Sequence, residues 1–195
     1  MFLVAFAASA FGLVVHNLFQ AWWADRAGDK GPRLSGFLTL EPKVHLDALG
    51  LLFLALLGFG LPRPVPARLY GTKGGQIALM GPAGFFAAAL VYGLLARLLA
   101  PTGSTLGLSS GLEAASTVMI LHAAIYLFPV PPLDGARLVY AMGSAEARRF
   151  MDTLASYGPL GFLVIFLVLS YSGITSAIIV GLGGLLGRLF QLAGL

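Results

Sequence analysis

Apolar and polar positions along this chain fall into long blocks. From Phe2 to Ala24 no charge interrupts the apolar run, and about 20 such residues cross hydrocarbon as a helix. The run is too long for a signal-peptide h-region and no Lys or Arg opens it, so it reads as a retained span. Charge then crowds into residues 25–47, as Asp25, Arg26, Asp29, Lys30, Arg33, Glu41, Lys43, His45 and Asp47. Within that stretch Leu34 to Leu40 partly alternates apolar with small or polar residues, which predicts a short strand or hairpin. Leu49 to Leu61 is apolar but short, and Gly58, Gly60, Pro62, Pro64 and Pro66 close it. That suits a re-entrant or interfacial segment. Further spans are expected at about 76–100, 112–128, 157–172 and 174–192, with Arg137 to Asp152 as an interfacial helix or loop.

Composition narrows the class. Hydrophobic residues make up 58% of the chain and charged residues 10%, against about a quarter charged in a soluble domain. A soluble single-domain fold is excluded, as is a disordered, fibrous or nucleic-acid-binding protein. The expected fold is an all-α polytopic membrane protein in the lipid bilayer. It has about five transmembrane helices, a short re-entrant segment and a small membrane-associated strand or hairpin region. With no cysteine there is no disulfide, thiolate metal site or cysteine nucleophile.

The basic residues orient it. If 49–61 turns back, loops 25–48, 62–75 and 133–156 share one side. They then hold Arg26, Lys30, Arg33, Lys43, Arg63, Arg68, Lys73, Arg137, Arg148 and Arg149, ten of twelve Lys and Arg, while 101–111 holds none. The positive-inside rule places those loops in the cytoplasm and the N-terminus outside.

Polar groups inside spans cost about 2.5–3.5 kcal/mol when charged, so each is a candidate for function. His16 and Gln20 stand four apart on one helix face, with Asn17 beside them. They serve either as a site or as interhelical hydrogen-bond glue. Pro129, Pro131 and Pro132 break the helix ahead of Asp134. Irregular backbone at that depth lines a cavity or lies buried in protein. Asp134 there is a ligand or counter-ion, or else caps a helix or pairs with Arg137. His45 and Asp47 read as a hydrogen-bonded interfacial pair and His122 as a packed histidine. Gly183 and Gly187 read as a close-packing point within the chain rather than a dimer contact.

Several short motifs occur in a fixed order between about Leu13 and Gly135. They are Arg26-Ala27-Gly28-Asp29, the run Gly36 to Asp47 (G-F-L-T-L-E-P-K-V-H-L-D), Pro64-Val65-Pro66, Gly81-Pro82 and Pro131-Pro132-Leu133-Asp134-Gly135. Together they resemble the site-2 protease family of intramembrane zinc metalloproteases, in particular its small prokaryotic branch. The resemblance implies one integral-membrane domain over 1–195, with a core at 2–135 and C-terminal helices at 157–192, in a prokaryotic inner or plasma membrane. It also implies a zinc site. The family carries H-E-x-x-H, two His ligands and a Glu general base on one helix, and takes a third ligand from the aspartate of L-D-G. Here His16 and Asp134 match the first and third ligands. Asn17 stands at the general-base position and Gln20 at the second histidine.

An amide oxygen is a weak zinc donor, and Asn17 takes up no proton at neutral pH, which removes base catalysis worth about 10²–10⁴-fold. The asparagines that the family uses to hold substrate align near Phe85 and with Tyr126, so both are absent. The expectation is a non-catalytic pseudoprotease that binds a transmembrane client, with zinc absent or weakly held. The alternative is an active zinc protease in which His122 or His45 rebuilds the site. A small transporter also accounts for polar residues on broken helices, but not for the order of the motifs.

Overall fold

A computed structural model describes residues 1–68, 70–99 and 106–194. Among the described residues ten helices follow in order: α1 (Phe2–Arg26), α2 (Gly31–Leu34), α3 (Pro42–His45), α4 (Ala48–Leu57), α5 (Gly71–Leu99), α6 (Leu106–Tyr126), α7 (Asp134–Met142), α8 (Ala145–Ser156), α9 (Gly158–Tyr171) and α10 (Ile174–Leu192). No strand occurs among the described residues. Among the described residues three helices, α1, α5 and α6, are long and apolar enough to cross a membrane. Helices α8 and α9 form a pair bent by 109°, and α10 is a shorter apolar helix. Of the expected loop at 101–111, residues 101–105 lie outside the described residues, and 106–111 are helical instead, as the start of α6.

Helix α5 is the centre, packed against α6, α1 and α7. It stays helical through Pro82, which removes one backbone donor. Contact with α1 is close because α5 offers glycine there: a Cβ on Gly84 would lie 2.9 Å from the Cα of His16. Leu13, Phe85, Ala89, Ala115 and Met119 fill the core between the three helices. Phe2, Leu3 and Phe11 on α1 point outward, as lipid-facing residues do.

The segment after α3 goes out and comes back. Asp47 caps α4 by accepting from the Gly50 amide at 2.7 Å, and left-handed Gly58 (φ 66°) ends the helix. Ten residues of helix span about 15 Å, half of a bilayer core of about 30 Å. The chain then returns, and the Arg63 amide donates to the His45 carbonyl at 2.7 Å. The two ends of the excursion therefore meet through a backbone hydrogen bond.

Two expectations fail. Leu34 ends α2 and residues 35–39 form turns and a bend, not a strand or hairpin. Their polar groups are satisfied locally, the Thr39 hydroxyl donating to the Gly36 carbonyl at 2.8 Å and the Thr39 carbonyl accepting from His45 at 2.8 Å, so no ladder partner is needed. Gly183 and Gly187 are not packing points, because no atom lies within 4 Å of a Cβ built on either.

Candidate functional site

The structure brings four sequence candidates into one buried network. His16, Asn17 and Gln20 come from the middle of α1, and Asp134 opens α7, where an acid also complements the helix dipole. Prolines 129, 131 and 132 keep the backbone irregular after α6, which turns the start of α7 back into the bundle. All four residues are at most 3% exposed.

His16 Nε2 lies 2.6 Å from Asp134 Oδ2. Neighbours fix the rest of the network. The Asn17 amide donates from Nδ2 to the Arg63 carbonyl at 2.9 Å, which leaves its oxygen to face His16 Nδ1 at 3.0 Å. That oxygen only accepts, so Nδ1 is the donor in this contact. Gln20 is equally determined. Arg137 Nη1 donates to its oxygen at 2.6 Å, and its NH₂ donates to Asp134 Oδ1 at 2.7 Å and to the Ala78 carbonyl at 3.3 Å. Arg137 Nη1 is also 3.5 Å from Asp134 Oδ1. Gly81 makes room for this cluster, since a Cβ there would collide with Asp134 Oδ2, His16 Nε2 and Gln20 Nε2. A small cavity of about 70 Å³ adjoins the network, lined by His16, Asn17, Tyr126, Asp134 and Arg137 and by the chain from Leu61 to Pro64.

The auxiliary candidates go elsewhere. His122 donates from Nδ1 to the Val118 carbonyl at 2.7 Å and accepts the Gly60 amide on Nε2 at 2.8 Å, so both its nitrogens are in use. His45 and Asp47 do not pair: the histidine donates from Nε2 to Thr39 and the aspartate caps α4. His45 Nδ1 is buried and without a partner. Burial pushes this imidazole below its ordinary value, the Thr39 bond opposing and nearby His16 adding to the effect.

Sequence reading underweighted Arg137. Its signal was the three-residue spacing from Asp134, which on a helix places the two side chains together. The Leu61–Pro64 wall carried no signal at that level, because its carbonyls act through backbone.

Comparison with known proteins places the chain. It is 32% identical over 169 residues to the protein named "Putative zinc metalloprotease YwhC" of Bacillus subtilis, covering 78% of this chain and 74% of that one. The chain belongs to this zinc metalloprotease family. Proteins named "Putative zinc metalloprotease Rip2" also match: that of Mycobacterium tuberculosis is 27% identical over 89% of this chain and 70% of its own length. The one from Mycolicibacterium smegmatis is 28% identical over 87% and 67%. No family model and no solved structure matches. The family and the apolar helices together make this a membrane protein.

Zinc fits these side chains poorly. Among the described residues no three His, Cys, Asp or Glu gather where they could hold a metal. His16 and Asp134 are of suitable types, but the third position presents an amide NH₂, a donor with no lone pair to offer, while its oxygen is held by Arg137. A guanidinium beside the carboxylate adds positive charge where a dication would sit. Gln20 and Arg137 already occupy Asp134 Oδ1.

Proposed function

We propose that this chain is a site-2-protease-like integral membrane protein that binds membrane clients without hydrolysing them. The observation that carries this is Gln20, whose amide points its hydrogens at Asp134 and its oxygen at Arg137. The carboxylate that would complete a zinc site is satisfied from within the chain, and Asn17, at the position of the general base, donates to a carbonyl and has no basic lone pair near neutral pH. Zinc is absent or weakly held in this reading. The protein sits in a prokaryotic inner or plasma membrane with its N-terminus outside, and its partners are the bilayer and a transmembrane client.

The test is cleavage of a transmembrane test substrate by the full chain in detergent with added zinc. No product is expected. Asn17→Glu with Gln20→His should acquire chelator-sensitive cleavage, because together they supply a ligand and a base, and Gln20→His alone should bind zinc with little turnover. Cleavage by the unmodified chain, abolished by chelator and restored by zinc, overturns the reading.

A further inference from the structure

The residues from Leu61 to Pro64 form one wall of the cavity beside His16 and Asp134, and the chain from Gly60 to Pro66 holds them there. This wall is unusually well tied. The Gly60 carbonyl accepts from the Tyr126 hydroxyl at 3.0 Å, the Arg63 carbonyl from Asn17 at 2.9 Å and the Val65 carbonyl from Arg137 Nη2 at 2.9 Å. The Arg63 amide is spent on His45. Pro62, Pro64 and Pro66 have no amide hydrogen and hold the intervening residues extended.

Volume decides what this means for access. About 70 Å³ beside the network holds a few waters and is far below the roughly 300 Å³ at the lower end of ligand pockets. A client segment reaches His16 and Asp134 only if this wall moves.

We propose that the Gly60–Pro66 segment is a strap latched over the site by Asn17 and Arg137, so that the cleft stays shut until the latch opens. This deepens the reading above by giving a role to the two positions that depart from the protease motif. Asn17 grips Arg63 directly, while Gln20 positions Arg137, whose second nitrogen grips Val65. Each grip is a side-chain donor on a backbone carbonyl, so a carboxylate at position 17 would repel the carbonyl that the amide now holds.

Val65 is 3% exposed, and the chain has no native cysteine. Val65→Cys in the full chain therefore reports lifting of the strap through its rate of reaction with a water-soluble maleimide. Ala115→Cys, in the fully buried core, reports general loosening. Asn17→Asp removes the donor while keeping the shape, Asn17→Ala does so with a smaller group, and Arg137→Lys removes one arm of the fork. Each should speed reaction at position 65 by about five- to tenfold and leave position 115 protected. An unchanged rate at 65 in all three overturns the latch, as does an equal rise at 65 and 115. The readout needs no hydrolysis. Cleavage by the unmodified chain would end the non-hydrolytic reading and leave the labelling result standing, whereas an unchanged labelling rate ends the latch alone.

Discussion

Replacing Arg137 with methionine tests the electrostatics of the site. Methionine fills similar length with no charge and no donor. Three interactions go: the 2.6 Å bond to Gln20 Oε1, the 2.9 Å bond to the Val65 carbonyl and the 3.5 Å approach to Asp134. Their costs differ. The Val65 carbonyl keeps a bond from the Ala67 amide at 2.9 Å, so its loss lies at the low end. Gln20 Oε1 is left buried without a partner, at about 1–3 kcal/mol. Removing one member of a buried ion pair costs about 3–5 kcal/mol in all, because the remaining charge is uncompensated. Equilibrium unfolding in mixed micelles should show a loss in that range. The exposed Arg148 supplies the control, with Arg148→Met expected within about 0.5 kcal/mol of the parent. Adding Asp134→Asn to Arg137→Met should recover part of the loss, the double variant departing from additivity by about 0.5–3 kcal/mol. An Arg137→Met protein as stable as Arg148→Met, with strict additivity in the double variant, would refute the claim that the guanidinium balances Asp134.

Stability should also fall with acid through His45. Its folded-state proton affinity is depressed by burial, so below the ordinary value of 6.5 the unfolded chain takes up a proton that the folded chain refuses. The contribution is at most about 1.4 kcal/mol per pH unit. His45→Gln should flatten that part of a pH–stability curve measured below pH 6.5, and an unaltered curve would remove His45 as its source. For orientation, cysteine placed at the exposed Arg68 should react with an impermeant reagent from the cytoplasmic side only, and labelling from outside the cell would reverse the topology.

Much of the architecture was legible along the chain because burial in lipid leaves a coarse, linear signature. Three long apolar runs became α1, α5 and α6, and the short run after Asp47 turned back as its length required. Motif order indicated the family before any geometry. Spacing alone put His16 and Gln20 on one helix face, and the prolines before Asp134 marked a broken element. What failed was short-range pattern. An alternation over seven residues at 34–40 cannot tell a strand from successive turns, since only a partner strand decides between them; in the fold Phe37 alone of these is buried. Glycines four apart at 183 and 187 permit close approach without supplying the helix that approaches.

The site's chemistry divides along the same line. Sequence by itself determined that positions 17 and 20 carry amides, because residue identity sets which atoms donate and accept. Only the tertiary structure decided what those amides do. An amide has a donor end and an acceptor end, and its direction depends on neighbours distant in the chain: the Arg63 carbonyl turns Asn17, and Arg137 turns Gln20. The same holds for the histidines. His122 and His45 were equal candidates as letters, yet one has both nitrogens bonded and the other keeps a buried lone pair, a difference set by which backbone groups pack against them.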